Sequence, residues 1–285
     1  MSVALASSYE YCRGIARSRA KNFYYSFVLL SKEQKNAMCA IYAFMRYCDD
    51  LSDEPGAAAG PIERWREDLS QALAGETTSP SPLWPAFRDA VERYRIPHAY
   101  FYEMIDGVLS DLDPRRIQTF DELYRYCYQV ASVVGLTIIH IFGFESPKAL
   151  PLAEKCGIAF QLTNILRDVR EDAERGRIYI PQEDLARFGV SVEDLREGRE
   201  SESFARMMDF EAARARGYYD ESRPLLKLIH KSSRSSLWAL ITIYSTLLDR
   251  IRQSNYAVLA RRIRLSTFEK SCIVLRAAIG SGARE

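Results

Sequence analysis

Residues 157–172 decide the fold of this chain, and they read Gly157-Ile-Ala-Phe-Gln161-Leu-Thr-Asn164-Ile-Leu-Arg167-Asp168-Val-Arg-Glu171-Asp172. At about 100° per residue, the stretch predicts a helix with two faces. One face is apolar and comprises Ile158, Leu162, Ile165, Leu166 and Val169. The polar stripe beside it follows the spacing i, i+3, i+7, i+11 and comprises Gln161, Asn164, Asp168 and Asp172. Asp172 falls at the edge of the apolar arc, where a carboxylate is costly unless it has a partner.

A second stretch has the same design and reads Ala40-Ile-Tyr42-Ala-Phe-Met-Arg46-Tyr-Cys-Asp49-Asp50-Leu-Ser-Asp53. Its polar stripe lies within an arc of about 60° and comprises Tyr42, Arg46, Asp49 and Asp53. Most of the other positions are apolar, which predicts a buried helix. A buried helix must turn a charged stripe towards a cavity, an ion or a partner charge.

Two buried helices that each carry an Asp-x-x-x-Asp pair predict one shared site. Carboxylates are hard oxygen ligands and suit Mg²⁺, which proteins usually hold with one or two carboxylates plus substrate phosphates and water. Several Mg²⁺ ions and a diphosphate would neutralise aspartates that face each other across a cavity. Either pair alone is equally well interpreted as a solvated helix face or part of a salt-bridge ladder, but the two together favour the metal site.

Composition indicates a globular protein. The chain has 285 residues, a net charge of +1 and 47% hydrophobic residues, so nothing points to nucleic acid. The six cysteines form no C-x-x-C or Cys/His cluster, which argues against a zinc or redox site. The longest apolar run, 130–144, is too short to cross a membrane, which needs about 20 residues. With no signal-peptide pattern either, we expect a cytoplasmic protein with free thiols.

The periodicity along the chain predicts helices throughout and no alternating strand pattern. We expect an all-α fold, with residues 1–285 forming a single bundle around a central cavity. Helices are predicted over 4–20, from the Ser31 N-cap to the break at 54–56, and over 61–74, 84–93, 100–112, 122–141, 152–174, 181–185, 201–229 (divided or kinked at Pro224), 235–252 and 266–279.

Three motifs together resemble the squalene/phytoene synthase family: the 42–53 stripe, the 161–172 stripe, and Gly176-Arg-Ile-Tyr179-Ile-Pro181. The resemblance extends over residues 11–264. It implies the isoprenoid synthase fold and a Mg²⁺-dependent prenyltransferase that condenses two prenyl diphosphates head to head (1′-1).

Within the family, segments 23–27, 123–136 and 141–144 are most similar to bacterial presqualene diphosphate synthases of the hopanoid pathway. That similarity implies condensation of two farnesyl diphosphates to presqualene diphosphate, with release of pyrophosphate. The alternatives are a phytoene synthase, which uses two geranylgeranyl diphosphates, and a dehydrosqualene or squalene synthase. From another class, a non-catalytic isoprenoid-binding helical protein remains an alternative. A di-iron bundle is set aside, because no histidine follows a glutamate at the Glu-x-x-His spacing.

The resemblance also implies roles for individual residues. Two or three Mg²⁺ ions are expected on Asp49, Asp53, Asn164, Asp168 and Asp172. The expected diphosphate contacts are Lys21, Asn22, Arg46, Arg167, Arg177 and Arg261, and arginine suits bidentate phosphate binding. Tyr42, Tyr126, Tyr179 and Tyr244 match positions that line the family's site, with Gln161 on the same stripe as Asn164. Aromatic faces can shelter a carbocation, although core packing explains a tyrosine such as Tyr244 almost as well.

NADPH is not expected, because the chain has no strand-associated G-x-G-x-x-G motif. This favours an enzyme that stops at the cyclopropyl diphosphate. We expect no transmembrane segment, at most loose association with the inner face of the membrane, and downstream pathway enzymes as partners. Prenyl chain length and oligomeric state do not follow from the sequence.

Overall fold

The computed structural model describes residues 3–20, 26–53, 57–76, 79–112 and 116–280. These residues form helices joined by turns, with two isolated β-bridges and no extended strand among them. The α-helices are α1 (Val3–Arg19), α2 (Lys32–Asp53), α3 (Ala59–Ala74), α4 (Trp84–Tyr94), α5 (Ala99–Ser110), α6 (Phe120–Cys127), α7 (Val133–Phe142), α8 (Ala149–Glu174), α9 (Gln182–Phe188), α10 (Val192–Glu197), α11 (Glu202–Ser222), α12 (Leu225–Leu228), α13 (Lys231–Gln253) and α14 (Thr267–Ala278). The all-α prediction is confirmed.

The two aspartate motifs lie on the two long helices α2 and α8. The predicted capping box opens α2: Gln34 N donates to Ser31 Oγ at 3.2 Å, and Ser31 N donates to Gln34 Oε1 at 3.4 Å. Helix α8 begins at Ala149, so residues 157–172 follow two helical turns of the same 26-residue helix. The N-terminal turns of α8 are buried on one side, at Ala149, Ala153 and Cys156, and this packing fixes which way the polar stripe faces.

The predicted continuous helix 122–141 is wrong in one respect. A π-helical turn, Tyr128–Ser132, separates α6 from α7. The turn is packed closely on both sides: a Cβ added at Gly107 would lie 2.8 Å from Val130 Cγ1, and one at Gly157 would lie 2.5 Å from Ser132 Cα. At Gly107 and Gly157, α5 and α8 approach the π-helical turn so closely that a larger residue would force its neighbours to shift.

Buried side chains form two clusters on either side of α8. One gathers α1–α5 and α7, including stacked rings such as Phe44 and Phe87 with centroids 4.7 Å apart. The other gathers α8–α11, α13 and α14. Phe160 and Ile241 pack against both clusters, so α8 and α13 link them.

Three smaller expectations are refined. Helix α3 begins two residues before Pro61, and Pro224 divides the 201–229 stretch into α11 and α12. Helix α2 is not buried on all sides, because Tyr47 is exposed to solvent. All six cysteines are free thiols, as expected. No helix in the described part of the chain has the length and apolar character needed to cross a membrane.

Candidate active site

The C-terminal ends of α2 and α8 are joined by one arginine. Arg177, three residues beyond α8, donates from Nη2 to the carbonyl oxygen of Ser52 in the last turn of α2 at 3.0 Å. Cations are favourable at this end of a helix, where carbonyl groups lack intrahelical partners. The contact brings the two predicted aspartate motifs to the same end of the bundle.

A largely apolar cavity of about 220 Å³ lies between these two helices, α7 and α13. Its polar end is formed by Arg46, Asp49, Gln161 and Asn164, and its opposite end by residues such as Met38 and Ala153. Met38 lies 11 residues before Asp49 on α2, about 16 Å along the helix axis. The apolar cavity is therefore long, with carboxylate and amide groups at one end only.

Two of the four predicted tyrosines line this cavity. Tyr42 lies on α2, and Tyr244 on α13 stacks on Phe160 with ring centroids 4.4 Å apart. Burial raises the pKa of the Tyr42 phenol to about 12, so this ring presents a neutral aromatic face to the cavity at physiological pH.

Asn164 carries a buried oxygen with no hydrogen-bond partner. Its Nδ2 donates to Gln161 Oε1 at 3.3 Å, while its Oδ1 is unpaired. An unpaired buried polar atom is costly unless a ligand satisfies it. An amide oxygen next to carboxylates fits a hard cation such as Mg²⁺.

Among the described side chains, no three His, Cys, Asp or Glu residues already form a metal cluster. Asp53 ends α2 and its side chain lies outside the described part, as do Lys21 and Asn22. A site with few protein ligands still fits Mg²⁺, because substrate phosphates and water usually complete its shell. The assignments of metal ligands and of Lys21 and Asn22 stay predictions.

Asp168 is held between two arginines. Arg167 Nε donates to Asp168 Oδ1 at 2.8 Å, and Arg262 Nη2 lies 2.9 Å from the same oxygen. Arg262 Nη1 also lies 2.6 Å from Glu171 Oε2. The sequence prediction named Arg261 and not Arg262; both residues are exposed, and the role of Arg261 stays a prediction. The spacing of the arginines at 261, 262 and 264 gave no basis for choosing between them.

Asp172 occupies the unfavourable position that its sequence predicted. Burial raises the pKa of its carboxyl to about 7, with a further contribution from the charge of Asp168. Arg177 and Arg175 act in the opposite direction. At neutral pH this group is therefore divided between its protonated and charged forms, and a cation bound beside it would displace the proton.

Arg46, a predicted diphosphate contact, forms an ion pair with Asp50 one turn further along α2. Its Nε atom is buried and has no partner. The guanidinium therefore lines the polar end of the apolar cavity with one donor still available.

The other two predicted tyrosines line a neighbouring space. Tyr126 and Tyr179 border a polar cleft of about 560 Å³ together with Asp111, Arg177 and Tyr128. Tyr126 OH donates to Asp111 Oδ2 at 3.1 Å, and Tyr179 OH donates to Asp111 Oδ1 at 2.9 Å. The sequence prediction did not include Asp111, because nothing in the sequence pattern around it distinguishes it from the neighbouring Asp113.

The π-helical turn is the wall between the apolar cavity and the polar cleft. Val130 and Ala131 face the cavity, while Tyr128 and Gln129 line the cleft. Backbone pairing fixes the far side of the cleft: Arg116 and Ile178 form a β-bridge, and Gln182 N donates to Ile117 O at 2.9 Å. The main-chain pairing at Ile178 and Gln182 thus holds the segment that carries Tyr179 against residues 116–117, just before α6.

Comparisons with known proteins agree with this architecture. A family model described as squalene/phytoene synthase matches residues 16–269. The 15-cis-phytoene synthase of Synechococcus elongatus is 37% identical over 94% of this chain and 92% of its own length. The crystal structure of a dehydrosqualene synthase in complex with ligand superposes with a TM-score of 0.90, at 31% identity over 97% of both chains. Squalene synthase HpnC from Alicyclobacillus acidocaldarius gives a TM-score of 0.83, at 28% identity over 90% of this chain and 97% of that one.

The structural neighbours have the isoprenoid synthase fold, as the sequence motifs implied. The family match extends over both aspartate helices and the Tyr179 segment that the geometry brings together. From its motifs, its fold and these similarities, the chain belongs to the squalene/phytoene synthase family.

Proposed function

We propose that this protein condenses two geranylgeranyl diphosphates head to head to phytoene. The observation that carries the proposal is the apolar cavity with polar groups at one end only, which matches a long hydrocarbon with a diphosphate head. Relatives named phytoene synthase at 35–37% identity support the C20 substrate. In the sequence interpretation a phytoene synthase was the alternative, and a presqualene diphosphate synthase was the first choice.

Asp49, Asp168, Asp172 and Asn164 Oδ1 would hold Mg²⁺, together with the diphosphate oxygens. When bound, Mg²⁺ supplies Lewis-acid stabilisation of the departing diphosphate. Arg46 and Arg177 border the diphosphate end and orient it through charge-assisted hydrogen bonds. The apolar walls of the cavity exclude water, which would otherwise capture the allylic cation.

The chemistry balances without a redox partner. The C1–O bond of the donor breaks and its electron pair leaves with pyrophosphate. The acceptor's double bond attacks C1, and proton loss closes a cyclopropane. Departure of the second pyrophosphate, rearrangement and loss of a second proton then give phytoene. Tyr42 and Tyr244 offer aromatic faces to the cationic chain during these steps, and released pyrophosphate accepts the protons.

A C30 product is the second candidate. The superposition with a dehydrosqualene synthase at a TM-score of 0.90 supports it, as does the likeness of several segments to presqualene diphosphate synthases. The C15 and C20 substrates share the same diphosphate end, so they differ only in how far the chain reaches along the cavity.

A product assay tests these proposals. Purified protein with Mg²⁺ is given farnesyl or geranylgeranyl diphosphate, without and with NADPH, and products are identified by mass spectrometry. A C40 product independent of NADPH supports the first proposal, whereas presqualene diphosphate or dehydrosqualene supports the second. Squalene formed only with NADPH would reveal a reductive step that we do not expect.

Variants separate catalysis from binding. Asp172→Asn is expected to abolish turnover. Glu171→Gln removes the same charge at the preceding residue, which lies outside the polar stripe, and is expected to retain most of the activity. An active Asp172→Asn protein, or a wild-type protein that turns over neither substrate, would favour the non-catalytic isoprenoid-binding alternative.

A further inference from the structure

Arg214 on α11 contacts the two segments of the chain that carry Tyr126 and Tyr179. Its guanidinium lies over the ring of Phe120, the first residue of α6, with Cζ 4.1 Å from the ring centroid. The same group donates from Nη1 to Asp184 Oδ2, in the first turn of α9, at 2.8 Å. Tyr126 belongs to α6, and Tyr179 lies five residues before Asp184. One side chain therefore contacts both segments.

Hydrogen bonds also join these two segments directly to each other. Gln182 N donates to Ile117 O at 2.9 Å, and Glu183 N donates to Gln118 O at 3.1 Å. The side chain of Glu183 accepts in turn, because Phe120 N donates to its Oε1 at 2.7 Å and thereby satisfies one of the free N–H groups that begin a helix. Residues 117–120 and 182–184 thus form one unit, the α6–α9 junction.

Helix α11 is packed on α8, which carries Asp168 and Asp172. The two helices contribute to the same buried cluster. Thr163 on α8 and Tyr219 on α11 are both buried, and their hydroxyl groups share a hydrogen bond of 2.9 Å. Arg214 therefore belongs to a helix whose position relative to the aspartates is fixed by packing, and it connects the α6–α9 junction to that helix.

The charges around Arg214 are costly to bury if their role is stability alone. Glu211 accepts from Arg214 Nη1 with both carboxylate oxygens at 2.8 Å. Asp184 and Glu211 are buried, and the Arg214 side chain is 17% exposed. Well-packed apolar side chains often stabilise a protein as much as a buried ion network does. The network adds direction, because a planar guanidinium holds its partners in a fixed fork.

We propose that Arg214 is a positioning residue for the reaction, and that it sets the place of Tyr179 against Tyr126 and relative to the aspartates of α8. The proposal rests on the proposed function, because it assigns Arg214 a part in that reaction. Both tyrosines line the polar cleft together with Arg177, a proposed diphosphate contact. A shift of about 1 Å in such a group can cost about a hundredfold in rate. Arg214 lines neither the polar cleft nor the apolar cavity, so it acts through the residues that it holds.

The kinetic test is a double-mutant cycle on kcat, with the purified full chain and Mg²⁺. Arg214→Lys keeps the positive charge but loses the fork. We expect kcat to fall about tenfold and KM to change by less than about twofold, because the diphosphate contacts and the apolar cavity are untouched. In a Tyr179→Ala background the same change should lower kcat by less than about twofold, since the ring that Arg214 positions is gone. An equal loss in both backgrounds would overturn the proposal.

Arg216→Lys is the matched control. Arg216 also lies on α11, and it pairs with Asp249 on α13 rather than with a residue of α6 or α9. This variant is expected to keep kcat within about twofold of the wild-type value. Equal losses in Arg214→Lys and Arg216→Lys would assign the effect to α11 as a whole and would also overturn the proposal.

Amide hydrogen exchange gives a readout that does not depend on turnover. The amides of Gln182 and Glu183 bond across the α6–α9 junction, and Arg214→Lys should speed their exchange about tenfold relative to the amides of α2. Exchange that is unchanged at the junction, or that rises equally in α2, would contradict the positioning role. If the wild type turns over no prenyl diphosphate, the proposed function fails, but the exchange still reports whether Arg214 holds the junction.

Circular dichroism and thermal unfolding establish that each variant is folded, and single-turnover kinetics follow the slow ones. If Arg214→Lys does not fold, Phe120→Leu takes its place, because it removes the ring beneath the guanidinium and keeps an apolar side chain. We then expect a loss in kcat of about threefold that is absent in the Tyr179→Ala background. A threefold loss that persists in that background would count against the positioning role.

Discussion

Tyr126 and Tyr179 stack with ring centroids 4.8 Å apart, and their hydroxyl groups donate to the two different oxygens of Asp111. One carboxylate therefore fixes two aromatic rings from two separate segments of the chain. Burial raises the pKa of both phenols, so both stay protonated and both need an acceptor. Asp111 is the residue that satisfies them.

We expect Asp111→Asn to disturb this pair, because an amide offers one acceptor oxygen where the carboxylate offers two. Loss of one tyrosine's position should lower kcat/KM by about tenfold, mostly through kcat, since the rings line the polar cleft together with Arg177, a proposed diphosphate contact. The measurement is steady-state kinetics with the substrate identified in the product assay. Asp106→Asn, on α5 just before Asp111 but paired with Arg66 at the surface, is the control. A variant of Asp111 with normal kcat would remove the tyrosine pair from the reaction.

Mg²⁺ affinity should depend on pH through Asp172. Because the pKa of this carboxyl is about 7, a proton competes with the metal below that value. We expect apparent affinity to rise by up to about tenfold per pH unit between pH 5.5 and 7, and to level off above. Titration of the protein with Mg²⁺ at a series of pH values measures this dependence. Asp172→Asn should bind Mg²⁺ more weakly and with a flatter pH profile, and an equally steep profile in that variant would assign the proton to another group.

Product length should respond to the far end of the apolar cavity. Met38→Ala enlarges that end, and we expect a larger share of C40 over C30 product when both substrates are supplied together. Truncating a buried methionine also costs about 2–5 kcal/mol of stability. Met207→Ala is a matched control, since Met207 is equally buried but belongs to the other side of α8. If both variants shift the product ratio equally, the effect is one of stability and not of cavity length.

The polar stripes of α2 and α8 could be predicted because helical periodicity places side chains on a face within a single segment. The pattern even identified Asp172 as a carboxylate in an unfavourable position, and its raised pKa agrees with that. Asp111 and Arg262 could not be predicted, because both lie outside the helices, in segments whose position depends on long-range packing. The π-helical turn depends likewise on close contact at Gly107 and Gly157, which periodicity within one segment does not report.

A buried charge cluster that joins α9 to α11 also depends on long-range packing and could not be predicted from periodicity within one segment. Arg214 on α11 donates from Nη1 to Asp184 Oδ2 and to both oxygens of Glu211, each at 2.8 Å. Asp184 belongs to α9, which follows the Tyr179 segment directly. The cluster therefore anchors that segment to α11, and Glu211 at its centre is 1% exposed.

Stability should fall with rising pH because of Glu211. Burial raises the pKa of its carboxyl to about 8, and Asp184 adds to the rise while Arg214 opposes it. The folded protein thus holds a proton that the unfolded chain, with an ordinary glutamate pKa of 4.5, has lost. The stabilisation is complete below about pH 4.5 and is lost as pH rises to 8, at a slope of at most about 1.4 kcal/mol per pH unit.

Urea denaturation between pH 5 and 9 measures this slope, and Glu211→Gln tests its origin. Glutamine keeps an oxygen for Arg214 and offers Asp184 an N–H donor, so the variant should fold and its stability should change less with pH. Glu221→Gln is the control: Glu221 lies on the same helix, α11, but is exposed and paired with Lys155, so this variant should retain the wild-type slope. If Glu211→Gln keeps the full slope, Glu211 is already ionised in the folded protein, and Arg214 outweighs burial in setting its pKa.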